Sequence, residues 1–122
     1  MDLKKLKVNS DFRGSFIETF HLPTDGQISY VTILPEETRG NHYHLRKTER
    51  FVVVYGSAVF TVKDRVTEDL MKVTVTGAKP MAITVVPNHT HALTATDEGA
   101  VVLIWVDEQF DKEDPDTYSE EI

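Results

Sequence analysis

Turn chemistry recurs so often along this chain that no long helix fits between its interruptions. Between about residue 15 and residue 106, short β-rich runs alternate with Pro23-Thr24-Asp25-Gly26, Pro35-Glu36-Glu37, Tyr55-Gly56-Ser57, Lys63-Asp64-Arg65, Thr76-Gly77-Ala78, Pro87-Asn88 and Asp97-Glu98-Gly99. Proline fixes φ and removes a donor, and glycine, asparagine and aspartate tolerate left-handed backbone, so each cluster ends a regular element. The runs between them predict strands over 15–20, 27–34, 40–44, 49–55, 58–63, 71–75, 81–86 and 100–106. No ten-residue window holds a 3.6-residue apolar repeat, and short, evenly spaced strands indicate an all-β sandwich or barrel.

Phe60-Thr61-Val62-Lys63 and Met71-Lys72-Val73-Thr74-Val75 alternate apolar with polar, the pattern of strands with one dry face. Phe51 to Tyr55 and Val101 to Val106 are apolar on both faces. Outward apolar residues need a cover, and a second copy of the chain is the expected one, making a homodimer.

At 122 residues, 40% of them hydrophobic, the chain has room for one core and one domain. It has no cysteine, which excludes disulfides, thiolate metal sites and cysteine nucleophiles. Met1 to Lys7 has no apolar stretch of signal-peptide length, and no later window approaches a membrane span, so a soluble, cytoplasmic protein is expected. The net charge of −7 is local: residues 107–122 carry eight acids and one base, whereas residues 1–106 hold twelve of each. That acidic tail is expected to be an extended strap whose Phe110 and Tyr118 dock while its carboxylates stay in water. Residues 1–14 read as an N-terminal segment. No basic stripe of the nucleic-acid type is present.

Four of the five histidines fall in two stretches, Arg39-Gly40-Asn41-His42-Tyr43-His44 and Val86-Pro87-Asn88-His89-Thr90-His91. On a strand, His42 and His44 would project from one face and Tyr43 from the other. Glu49 follows His44 after a short reversal, and either His89 or His91 would arrive from a distant strand. Three imidazoles and one carboxylate suit zinc, iron, nickel or manganese and leave coordination positions open for chemistry. Arg39, Arg46, Lys47 and Arg50 surround the first histidine pair, so an anionic substrate is not opposed there. Arg39 is a candidate for holding a phosphate.

Gly40-x-His42-x-His44-x4-Glu49-x6-Gly56 resembles the first motif of the cupin superfamily, and Pro87-x3-His91 resembles the second. The resemblance implies a small double-stranded β-helix, or jelly-roll, with His42, His44, Glu49 and His91 as ligands and His89 left as an outer-sphere group or general base. The second motif departs at Ala95, where cupins usually carry asparagine.

Asp25 to Tyr30, Thr38 to His44, Lys47 to Val54, and the ending from Trp105 to Tyr118 are similar to the C-terminal cupin domain of CapF-type enzymes of capsular polysaccharide synthesis. Asp11-Phe12-Arg13-Gly14 to Glu18 is similar to the opening of the dTDP-4-keto-6-deoxyglucose 3,5-epimerases, in which the arginine and glutamate help hold the nucleotide. These likenesses imply a zinc-bearing cupin that epimerises C3 of a UDP-4-keto-6-deoxy-N-acetylhexosamine, with Arg13 and Arg39 as substrate contacts and Lys47 as nearby cation or acid. A separate reductase would act downstream. The same ligand set also serves dioxygenases and sugar-phosphate isomerases, and a non-catalytic sugar-binding cupin is a further alternative.

Overall fold

The computed structural model describes residues 1, 5, 7–21 and 26–122, with Phe20 and His21 described in backbone only. The turn expected around Pro23-Thr24-Asp25 and the side chain of His21 lie outside the described residues.

The fold is all-β. Among the described residues nine strands follow in order: β1 (Val8–Asp11), β2 (Gly14–His21), β3 (Gln27–Ile33), β4 (Thr38–Tyr43), β5 (Glu49–Asp64), β6 (Leu70–Thr76), β7 (Ala82–Val85), β8 (His89–Val106) and β9 (Tyr118–Ser119). Every pairing between them is antiparallel.

Two strands belong to both layers of the molecule. The first half of β5 runs between β7 and the second half of β8, which in turn pairs with β3, then β2 and β1. The second half of β5 runs between β6 and the first half of β8, which pairs with β4 and through it β9. The two halves of the β5–β8 ladder meet at a register break, where Gly56 pairs with Ala100 but Ala58 pairs with Ala95. Extra residues on one strand of a ladder bend it and sharpen its twist. Here the bend carries both strands from one layer into the other.

This corner replaces two expected turns. Tyr55-Gly56-Ser57 and Asp97-Glu98-Gly99 do not end strands but lie inside them. Gly56 has φ 73°, and a Cβ there would come within 2.1 Å of the Gly99 carbonyl oxygen, so only glycine fits. The expected strands at 49–55 and 58–63 are therefore one strand, and that at 100–106 is the far half of another. β1 gave no β-signal, because its residues are polar and exposed, yet it forms a hairpin with β2.

The core lies between the layers. Phe60 is 1% exposed and meets Phe51 edge to face at 5.0 Å, one residue from each half of β5. Val102, Val31, Leu93 and Ala95 pack with them. Ala95, the departure from the second motif, thus fills core volume. β6 buries only Val75; Met71 and Val73, expected inside, are exposed near the free edge of that strand. On the outer face of the first layer Tyr30, Leu103 and Val52 stand side by side, and Val54 and Tyr55 are exposed beyond them.

Candidate metal centre

The ligand candidates come from both layers. His42 is the last residue but one of β4, His44 lies just past that strand, Glu49 opens β5, and His91 sits near the start of β8. A bulge aims the first pair: the β4–β8 register shifts between Gly40 and His42, and Asn41 takes the left-handed φ of 57°. Gly40 backs directly against β8, where a Cβ would stand 2.7 Å from the His91 carbonyl oxygen. Close backbone approach thus sets His42 beside His91, and the two are register partners.

One ligand atom from each of His42, His44, Glu49 and His91 lies within 4.8 Å of the others, so the cluster could hold a metal ion. The side chains of His44 and His91 are 8% and 1% exposed and that of Glu49 is 12% exposed. His44 Nε2 approaches Glu49 Oε1 at 2.7 Å and His91 Nε2 approaches it at 3.2 Å. All three atoms nonetheless lack a partner in hydrogen-bond geometry. Buried polar atoms without partners are costly, and here they converge on one point, as ligands to a cation do.

The tautomers agree. His44 Nδ1 lies 2.6 Å from the Asp116 carbonyl oxygen and His91 Nδ1 lies 3.3 Å from the His89 carbonyl oxygen. A carbonyl can only accept, so each Nδ1 carries the proton and each Nε2 turns its lone pair inward. Electrostatics point the same way at His42 and Glu49, and the opposite way at His44, whose extra proton a bound cation would displace. Burial, aided by the positive charge of His91 and His44, pushes His42 down to about 4 and keeps it neutral. Burial alone would raise Glu49, but the adjacent His44 and His91 outweigh it and keep the carboxyl ionised. His44 is raised, because Glu49 overcomes the effect of its own burial. An anionic carboxylate with neutral imidazoles is the protonation state a divalent ion requires.

His42, Glu49 and His91 line a cavity of about 80 Å³ whose other walls are mostly apolar side chains such as Phe16, Val31, Phe51 and Ile104. Arg39 also lines it. Its Nη1 is buried without a hydrogen-bond partner, and Asp11 Oδ1, 3.9 Å away, is too far to be one. Phe16 separates this cavity from a groove of about 270 Å³ that Lys7, Asn9, Glu18, Gln27 and Phe110 line.

The other sequence candidates stand elsewhere. Lys47 is 5% exposed; its Nζ donates to the Pro115 carbonyl at 2.9 Å and lies 5.6 Å from the Phe110 ring centre. It remains near enough for its charge to depress His42. His89 is not in the cluster: Nδ1 is 3.0 Å from the Pro87 carbonyl oxygen and Nε2 is 3.6 Å from Asp64 Oδ2. Arg13 sits at the β1–β2 turn, outside the cavity lining, with its guanidinium on both carboxylate oxygens of Asp11. Of the other local bases, Arg46 pairs with Glu108 and Asp114, and Arg50 stacks on Trp105. Tyr43 points away from the cluster, as alternation requires, stacking on Tyr118 with the Arg65 guanidinium 3.7 Å from its ring centre.

Asp116 was missed by sequence reasoning. It is 2% exposed, and its carboxylate accepts hydrogen bonds from the backbone N–H groups of Leu45, Arg46 and Lys47 at 3.0, 2.9 and 3.2 Å. The strap's carboxylates are thus not all in water.

A family model described as the polysaccharide biosynthesis C-terminal domain matches residues 9–118. The chain belongs to this family. Members of known structure share its architecture: CapF, the capsular polysaccharide assembling protein of Staphylococcus aureus, superposes with a TM-score of 0.92 at 36% identity over 98% of this chain and 33% of its own. A Pseudomonas aeruginosa protein named UDP-2-acetamido-2,6-beta-L-arabino-hexul-4-ose reductase is 40% identical over 114 residues, 92% of this chain. The chain spans about a third of the length of these relatives. Oxalate decarboxylase of Bacillus subtilis superposes with a TM-score of 0.81 at 21% identity over 93% of this chain and 30% of its own, which shows the cupin fold alone. Among the described residues no helix is long and apolar enough to cross a membrane.

Proposed function

We propose that this family member is a metal-dependent cupin acting on a nucleotide sugar, and that its reaction is epimerisation at C3 of a UDP-4-keto-6-deoxy-N-acetylhexosamine. The observation that carries the reading is the convergence of His42, His44, Glu49 and His91 on one point, beside a cavity that three of them line together with an Arg39 whose Nη1 makes no hydrogen bond. The relatives support the substrate class, since one is named for a UDP-linked 4-keto sugar.

A proton α to a ketone is removable only where charge developing on the oxygen is stabilised. A divalent ion, with zinc the first choice for three imidazoles and a carboxylate, would supply positive charge there when bound. The chain's own part is orientation. Arg39 donates from its free Nη1 to a substrate oxygen, a charge-assisted bond in a dry site. A general base takes the C3 proton, and Lys47, which keeps protons beyond the one shared with Pro115, is the proposed acid that returns one to C3 on the opposite face. Arg13 is the proposed contact for the diphosphate, displaced from Asp11 on binding. His89, turned to Asp64, is given no step. A cavity of about 80 Å³ is smaller than a hexose needs, and a shift of Phe16, which lines both it and the neighbouring groove, is the proposed way to join the two.

The outward apolar row of exposed Leu103 and half-buried Val52 and Tyr30 supports a homodimer through the first layer. A separate reductase acting on the product completes the proposed sequence.

Metal-loaded protein in D2O, incubated with the keto sugar and followed by NMR, tests the reading. Deuterium should appear at C3. Saturable binding with stoichiometric metal and no exchange would refute epimerisation and favour a non-catalytic sugar-binding cupin.

A further inference from the structure

The acidic C-terminal segment does more than cover the barrel. β9 adds to the edge of the ligand-bearing strand β4, pairing Ser119 with His42 and Tyr118 with Tyr43. Glu120 N–H donates to the Asn41 carbonyl, within the bulge that aims the histidines. The Glu120 carboxylate gathers Lys63, Arg65 and Thr90 at 3.0, 2.7 and 3.0 Å, tying the segment to β5 and β8.

Asp116 stands at the centre of this arrangement. Its carbonyl oxygen takes the His44 Nδ1 proton, while its carboxylate takes three consecutive amides of the Leu45-Arg46-Lys47 turn that links His44 to Glu49. One residue thus holds a ligand's ring and the backbone between two ligands. It does so with φ 46°, a left-handed conformation that aspartate and asparagine adopt more readily than most residues. Pro115 holds the Lys47 ammonium from the same segment.

We propose that this strap is a working part of the metal site. Asp116 is a positioning residue that fixes the tautomer and direction of His44, and docking of residues 107–122 is coupled to metal binding. Coupling of this kind is reciprocal: if docking tightens metal by some factor, metal tightens docking by the same factor. Groups that orient a ligand histidine typically change metal affinity by about 10–100-fold. The inference rests on the metal-site reading above.

The test uses the full chain and Zn²⁺ alone. Asp116→Asn keeps the left-handed preference and the backbone carbonyl but removes the anionic acceptor of the three amides. Glu113→Gln makes the same charge change at an exposed strap position and serves as control. By chelator competition, Asp116→Asn should lose about 10–100-fold in zinc affinity, with Glu113→Gln at the wild-type value. In wild-type protein, hydrogen exchange at the amides of 45–47 and across the strap should slow on zinc addition. This second measurement needs no variant to fold. Unchanged affinity in a folded Asp116→Asn protein, an equal loss in Glu113→Gln, or strap exchange indifferent to zinc would each overturn the coupling while leaving the metal site standing. Failure of the wild type to bind zinc would overturn both.

Discussion

Replacing His91 with glutamine removes one imidazole while nearly filling its volume between Phe51 and Phe60, whose ring centres lie 5.5 and 6.4 Å from it. Zinc sites of four protein ligands bind with about 10–16 kcal/mol, so one ligand of four accounts for about 2.5–4 kcal/mol, or roughly 10²–10³-fold in affinity. At free zinc a thousand times the wild-type Kd, zinc binding stabilises the wild-type fold by about 4 kcal/mol. The same concentration is only about one to ten times the variant's Kd and stabilises it by about 0.4–1.4 kcal/mol. For a chain of this length 1 kcal/mol moves Tm by about 4 °C, so the zinc-induced rise should fall from about 16 °C to about 2–6 °C. Calorimetry in zinc-buffered solution, each protein compared with its own chelated form, separates this loss from any packing cost of the substitution. Equal zinc-induced shifts in His91→Gln and wild type would refute the role of His91 as a ligand.

Arg39→Met removes a buried nitrogen that makes no hydrogen bond, so the unfolding free energy from urea titration should stay level or rise by up to about 1 kcal/mol, while calorimetric affinity for the sugar nucleotide drops about 10–100-fold; unchanged affinity would remove Arg39 from the site. In metal-free protein, His42 is held at about 4 against 6.5 in the unfolded chain, so the unfolded state takes up the proton first and stability falls as pH drops from about 6.5 to about 4. The full effect is about 3 kcal/mol, and His42→Gln should lack it in urea titrations across that window. His44, raised by Glu49, acts in the opposite sense: its contribution is present below 6.5 and lost above, so the two histidines separate by pH.

The metal cluster was legible because its chemistry is written in short spacings: two histidines on one strand end, a reversal, a carboxylate. The architecture was legible for a similar reason, since proline and glycine end elements locally. What the sequence hid was long-range. Gly56 and Gly99 satisfy the same backbone demand in a corner as in a hairpin, and only the partner strand distinguishes the two. Asp116 resembles the seven other acids of the tail, and nothing local says that it alone meets three amides across the chain. The bases around His42 suggested a positive patch, but Arg46 is paired with Glu108 and Asp114, and the Lys47 ammonium is turned to the Pro115 carbonyl of the strap. Arg39 alone among those four lines the cavity.

The sharing of β5 and β8 between the two layers bears on when the site comes into being. His42, His44 and Glu49 are neighbours in the chain, but His91 reaches them only after the second half of β5 has paired with the start of β8 and β4 has closed against β8. Pairings of such separation form slowly, because a long loop must close before any contact rewards it. An unfinished chain can therefore offer metal no more than a weak two- or three-point hold. If the cluster holds an ion, tight capture would be a record of completed folding: a molecule that retains it against a chelator would be one whose layers have already closed.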